Sequence, residues 1–308
     1  MPLNGLACTR NATHLIRFEE KVSGLTMTYD LRIRPVVVIP VHLPRPSPSE
    51  VVSLRQCGKV LANHDIMILA PKHLDLGAYW ELLPSAADLR VEPRWMASLE
   101  AYNRMMMSSL VFNALDGYTH MILHEPDALV LRDEIDHWCN QPFDYIGAPW
   151  FEGLGNAAPN APIYGVGNSG FSLHRLSTSR RVTASWRRWY PYSTVAKDLI
   201  QGLRGNPKRL RRGLIGLGSG GLLRGAHKLY DWYCDIFWSV AVPKLDKSFR
   251  IPPPEIAVQF AWEVFPSRCM TMCRGRLPFG IHAWAKYDYE FLKPHLLSAG
   301  VDLLEVSK

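Results

Sequence analysis

One short run, Pro35-Val36-Val37-Val38-Ile39-Pro40-Val41, restricts the fold more than any other stretch of the chain. It is β-branched, bounded by proline and uninterrupted by polar residues, so it reads as a strand buried on both faces. Such strands belong to the interior of a parallel sheet covered by helices on both sides. The following loop, His42 to Pro48, is proline-rich, and Ser49 reads as the cap of a helix carrying Val52, Leu54 and Val60. A second apolar strand follows at His64–Ala70, then a Met- and Leu-rich helix from Met96 to Leu115, and a third strand from Tyr118 to Leu123. Strands alternating with helices predict an α/β/α sandwich, Rossmann-like, with a mainly parallel twisted sheet. Ligands bind such sheets beyond the carboxyl ends of the strands.

The 308 residues are 47% hydrophobic, enough for a sizeable core. Residues 31–300 read as one domain after an N-terminal extension of residues 1–30, with a first half to about Ala148 and a second half beyond it. The net charge of +7 favours anionic partners without choosing among phosphates, nucleic acid and acidic membranes. The cysteines Cys8, Cys57, Cys139, Cys234, Cys269 and Cys273 are scattered, and only Cys269 and Cys273 lie close, so they read as reduced thiols rather than a zinc site. Met1 to Tyr29 lacks the apolar core of a signal peptide, and no run of eighteen or more apolar residues follows. A cytoplasmic location is the expectation, with peripheral attachment to the inner membrane left open.

The third strand runs into His124-Glu125-Pro126-Asp127, where two carboxylates one residue apart stand at the ligand-binding edge. Such a pair can hold a hard divalent cation, and that cation can bridge a diphosphate. By itself the pattern is weak, because most acidic turns after strands are solvated loops. More distinctive are Phe143-Asp144-Tyr145-Ile146-Gly147-Ala148-Pro149-Trp150 and Gly165-Val166-Gly167-Asn168-Ser169-Gly170-Phe171-Ser172-Leu173. A Gly-Asn-x-Gly run leaves backbone N–H groups open to a close ligand, and the same spacing also serves a tight turn between strands.

Taken together, the apolar strand, the carboxylate turn, Asp-Tyr-Ile-Gly-Ala-Pro-Trp and Gly-Asn-x-Gly-Phe-Ser-Leu resemble a little-characterised family of GT-A-type glycosyltransferases, over about Val36 to Tyr287. Ser169 stands where a second glycine is usual, and His174 where arginine is usual. The resemblance implies a GT-A-like fold and transfer of a sugar from a nucleotide diphosphate donor to a glycan or lipid-linked acceptor, with bacterial surface glycan synthesis as the setting. It implies Mn²⁺ or Mg²⁺ on Asp127 and His282, with Glu125 in the weaker first position of the acidic turn. It places the nucleotide by Pro40, Val41 and His42 and by the stretch Tyr102, Asn103 and Arg104, and gives Asn168, Gly170 and Lys286 to donor binding. Asp235 is implied as the base that takes the acceptor proton, with Glu263 second and a structural ion pair as its plainer role.

Two other classes compete: a catalytically silent nucleotide- or sugar-binding protein on the same fold, suggested by the altered positions, and a nucleic-acid-modifying enzyme. The second draws only on positive charge, since no helix-turn-helix, zinc finger or RNA-binding aromatic motif is present, so nucleic acid is the disfavoured partner. The charge concentrates at Arg204, Lys208, Arg209, Arg211, Arg212 and Arg224 among six glycines between Gly213 and Gly225. That segment reads as a plain surface loop, slightly favoured, or as a loop lying on an anionic membrane.

Overall fold

In the computed structural model, residues 15–22, 25–184, 192–218 and 233–304 are described. The strands are β1 (Leu15–Val22), β2 (Leu25–Arg32), β3 (Pro35–Pro40), β4 (Asp65–Pro71), β5 (Ala87–Val91), β6 (His120–His124), β7 (Leu129–Val130), β8 (Tyr145–Phe151), β9 (Ile163–Arg175), β10 (Ala261–Trp262) and β11 (Gly280–Ile281). The main sheet has six strands in the order β5-β4-β3-β6-β9-β8. The pairs β5/β4, β4/β3 and β3/β6 are parallel, whereas β9 runs antiparallel to both β6 and β8. The fold is therefore α/β with a mainly parallel sheet. β1 and β2 form a separate antiparallel hairpin within the N-terminal extension.

β3 behaves as its composition dictates. Val37 and Ile39 enter one hydrophobic cluster with Leu54, Ile68 and Ile122, while Val36 and Val38 enter the opposite one with Met105, Phe112 and Leu123. Period-2 alternation thus feeds two cores from one uniformly apolar run. A third cluster, around Trp262, Ile281 and Trp284, covers a small second sheet of order β10-β11-β7.

Several local expectations shift. The first helix spans Pro48–Val60 with Ser47, not Ser49, as its N-cap, and the Glu50 carboxylate accepts the Ser47 N–H at 2.6 Å. Proline then occupies the first helical position, which suits its missing N–H. The single helix expected over Met96–Leu115 is two, Leu99–Met106 and Ser109–Ala114. Ser108 divides them: its hydroxyl donates to Met105 O and accepts the Leu110 N–H, starting a new helix. Gly-Asn-x-Gly is not a turn between strands; it lies inside β9 at a register shift against β8. Residue 148 falls inside β8, so the two halves share one strand.

The basic segment is also corrected. Residues Tyr192–Leu203 and Pro207–Gly218 are helices, and Arg209 and Arg212 both pair with the fully buried Asp198. A loop reading failed because alternating Gly and Leu hid a helical contact. A side chain on Gly202 would strike Leu210, and one on Gly213 would strike Leu199. Arg224 lies outside the described residues, as does Cys8; Cys57, Cys139, Cys234, Cys269 and Cys273 are free thiols. Among the described residues, no helix is long and apolar enough to cross a membrane.

Asp144 shows how the Asp-Tyr-Ile-Gly motif serves the fold. One oxygen accepts Thr178 Oγ1 at 2.7 Å and the other accepts the Arg250 N–H at 2.9 Å, while its backbone N–H and C=O join Arg250 and Arg175. Three separate segments meet on one buried carboxylate. Asp144→Ala should lower stability by about 2–4 kcal/mol, since buried donors lose a charged acceptor. Urea unfolding checks it; a midpoint equal to wild type would show the contact to be dispensable.

Candidate active site

β7 and β10 flank β11 in the small sheet, antiparallel and parallel respectively, with Ile281 opposite both Leu129 and Trp262. That register sets His282 beside Glu263 and near Asp127, which lies two residues before β7. The His282 N–H donates to Trp262 O at 2.8 Å, locking the alignment. From the main sheet, Glu125 leaves the carboxyl end of β6 with its N–H on Gly170 O at 2.8 Å. Two sheets thereby deliver side chains to one point.

His282 Nε2 lies 3.4 Å from Asp127 Oδ1 and 3.5 Å from Glu125 Oε2. Its Nδ1 lies 3.2 Å from Glu263 Oε1, an ion-pair contact whose angle is poor for a hydrogen bond. The ligand atoms of Glu125, Asp127 and His282 all fall within 4.8 Å of one another, so the three can hold one cation. Burial by itself would depress the His282 pKa, but the three surrounding carboxylates hold it well above the ordinary value. Burial pushes the Asp127 carboxyl up, and His282 more than offsets this, leaving it below the usual range.

Gly170 is what allows the histidine in. A Cβ on Gly170 would stand 2.1 Å from His282 Cδ2, and one on Gly280 would stand 2.4 Å from Phe171 Cε1. Gly170 and Gly280 therefore make room for one another's neighbours. Asn168 Oδ1 accepts the Gly170 N–H at 3.1 Å, and a Cβ on Gly147 would come within 2.2 Å of Asn168 O. The Gly-Asn-x-Gly run is a bulge shaped by packing before it is a ligand contact.

A cavity of 440 Å³ opens beside the cluster, lined by Pro40, Val41, His42, Glu50, Tyr79, Tyr102, Glu125 and Asp127 among others. Tyr102 reaches into the cluster and donates to Glu125 Oε1 at 3.2 Å. Arg104 does not line the cavity; its guanidinium pairs with Glu100 one turn back on the same helix. The exposed Lys286 ammonium lies 4.8 Å from the Tyr287 ring centroid, and Tyr287, Glu263 and Asp127 together raise its pKa.

Asp235 is the middle residue of a short helix, Cys234–Ile236, that runs directly into a π-helical turn, Phe237–Ala241. Burial pushes its pKa up to about 6, and the charges of Glu263 and Glu125 add to the rise. Asp235 thus belongs to the same acidic field. Cys234 is anchored by Asn103, whose Oδ1 accepts its N–H at 2.8 Å while Nδ2 donates to Leu99 O at 2.9 Å.

Sequence reading missed Tyr79 and Glu50, and it took Asn103, between Tyr102 and Arg104, for a nucleotide contact, whereas its side chain bonds Cys234 and Leu99. Tyr79 fixes the cavity rim by donating to Leu43 O at 2.9 Å. No local pattern marks Tyr79, which acts across the fold, whereas the spacing of Ser47 and Glu50 is that of a capping box and was open to reading. His174, one of the two altered motif positions, is buried among Phe112, Tyr145 and Trp238, and burial drives its pKa down to about 3. It is a neutral core residue. Ser169, the other, places its Oγ 3.9 Å from Cys234 Sγ.

Comparisons with known proteins come at low identity. The chain is similar to mouse xyloside xylosyltransferase 1 in its apo form, at 11% identity and a TM-score of 0.41, covering 81% of this chain and 97% of that one. It is similar to the galactosyltransferase LgtC in complex with donor and acceptor sugar analogs, at 8% identity and a TM-score of 0.40, covering 80% and 86%. Core-mannan synthase A of Aspergillus fumigatus, in a Mn/GDP form, is 9% identical with a TM-score of 0.41, covering 79% and 78%. No curated protein matches the chain. The family model described as "Protein of unknown function (DUF5672)" matches residues 87–282, more than half of the chain, from the last parallel edge strand to the site histidine. The chain belongs to the DUF5672 family.

Proposed function

We propose that this protein is a metal-dependent glycosyltransferase that moves a sugar from a nucleotide diphosphate donor to an acceptor hydroxyl. The observation that carries the reading is the junction of the Glu125–Asp127–His282 cluster with the 440 Å³ cavity at the carboxyl ends of β3 and β6. The motif resemblance supports it. A set of two carboxylates and one imidazole suits Mn²⁺ or Mg²⁺ better than a thiolate-seeking metal. Asp127 and His282 are the principal ligands and Glu125 the third. A cation there supplies Lewis-acid stabilisation of the diphosphate leaving group.

Pro40, Val41, His42 and Tyr102 hold the nucleoside against the cavity wall, and Lys286 reaches a phosphate oxygen. Asn168 and Gly170 shape the donor side beside His282. Asp235 accepts the proton of the acceptor hydroxyl as its oxygen bonds to the anomeric carbon and the carbon–diphosphate bond breaks, with inversion. A carboxyl pKa of about 6 suits a base at neutral pH. Glu263 is a positioning residue, because its carboxylate faces Nδ1 and leaves Nε2 for the cation.

Asp127→Asn should abolish Mn²⁺-dependent thermal stabilisation by nucleotide sugars in a folded protein. Unchanged stabilisation would sink the metal assignment.

Glu263→Gln should weaken metal affinity roughly 10–100-fold, the usual cost of losing such a partner. Turnover at saturating metal should stay near wild type. A turnover collapse at saturating metal would instead make Glu263 the base.

Asp235→Asn separates catalysis from stability. Its folded-state carboxyl is raised above the ordinary 3.8, so the associated stability is full below about pH 4 and is lost as pH rises through about 6. At neutral pH the ionised group costs up to about 3 kcal/mol, which asparagine relieves while still accepting the Ile236 N–H. Turnover should fall by roughly two to four orders of magnitude while the metal-free protein melts no lower than wild type at pH 7.5. Wild-type turnover would favour a retaining mechanism, and absence of turnover with every donor in the wild type would favour a silent sugar-binding protein.

A further inference from the structure

We infer that the helical hairpin of residues 192–218 is a docking surface for an anionic lipid bilayer, independent of the catalytic reading. Its inner seam is complete. Gly202 packs on Leu210 and Gly213 on Leu199 so closely that neither admits a Cβ, and Asp198, fully buried, is clasped by Arg209 and Arg212. Apolar residues on the outer surface are therefore surplus to folding.

Among the described side chains, three large ones remain outside: Ile200 is 51% exposed, Leu203 79% and Leu214 55%. On the first helix Lys197, Ile200 and Leu203 recur at spacings of three, and Arg204, four residues after Ile200, follows directly in the turn. On the second, Lys208, Arg211 and Leu214 recur at spacings of three. Lys197, Arg204, Lys208 and Arg211 are exposed and make no ion pair among the described residues. The only acidic residue of the hairpin is Asp198, already neutralised within it. The outward face is thus purely basic and interleaved with aliphatic side chains.

That combination selects the partner. Phosphodiesters of nucleic acid would satisfy the charges and leave Leu203 and Leu214 in water. An anionic leaflet takes both, with phosphates at the ammonium and guanidinium groups and acyl chains under the leucines. Arg209 and Arg212 do not take part, because releasing them would strand a buried carboxylate.

The test is co-sedimentation of the full chain with phosphatidylcholine vesicles, with and without phosphatidylglycerol. Wild type should pellet at low salt only with phosphatidylglycerol. Arg204→Gln/Lys208→Gln/Arg211→Gln should lose affinity roughly a hundredfold, about fivefold per charge. Leu203→Ser/Leu214→Ser, with every charge retained, should lose tenfold or more. A control losing equal charge elsewhere, Lys244→Gln/Lys247→Gln/Arg274→Gln, should bind within a few-fold of wild type. Equal losses in the control and the hairpin charge variant would overturn the proposal in favour of bulk attraction by net charge. So would wild-type binding by Leu203→Ser/Leu214→Ser, or binding to an RNA oligonucleotide with no binding to vesicles. All substituted side chains are exposed, and unchanged far-UV circular dichroism would verify folding.

Discussion

The approach of the His282 ring to the backbone at Gly170 is the contact on which the rest of the site depends. It joins two sheets that share no strand. β9 supplies the bare backbone and β11 supplies the imidazole, so the register of each sheet is read out in the position of one ring. With the ring seated, Nε2 faces Asp127 and Glu125 and Nδ1 faces Glu263. Any side chain at position 170 would require the ring or the bulged strand to move, and both are anchored by neighbours: the ring by three carboxylates, the strand by the Asn168 hydrogen bond to Gly170 and by the Glu125 N–H on Gly170 O.

This seating explains why the readable motifs are where they are, and why their individual letters were harder to read. β3 could be placed from composition alone, because a β-branched run without alternation has few other homes. Asp127 and His282 were legible as candidates, and the fold brings them together across a long stretch of chain. Gly170 looked like a ligand-contact position, yet it clears room for His282, as Gly147 and Gly280 clear room for Asn168 and Phe171. Asp144 looked like part of a binding motif and is a buried acceptor for Thr178 and Arg250. A single sequence shows that a position needs a particular residue type without showing whether the need comes from packing or from a ligand.

What stayed hidden was long-range or masked by composition. Asn103 touches Cys234 from a distant helix, and no local spacing announces it. The helices of the basic segment were obscured by glycines that ordinarily weaken helices by about 1 kcal/mol each. Here that cost is offset by close helix packing and by the Asp198 clasp, both of which require residues Leu199 and Asp198 on one helix to meet Arg209, Arg212 and Gly213 on the other. Tertiary contact overrode local propensity.

The charge balance of the site has a consequence for how it rests between ligands. Glu125, Asp127 and Glu263 gather around a single imidazole, so even with His282 protonated these carboxylates outnumber its charge, and Asp235 feels the charges of Glu263 and Glu125. Asp235 registers this imbalance: burial and the neighbouring carboxylates raise its pKa. Mutual repulsion of this kind is a cost to the fold that a divalent cation would relieve. The same field would favour a divalent cation at the cluster, and together with burial it raises the proton affinity of Asp235.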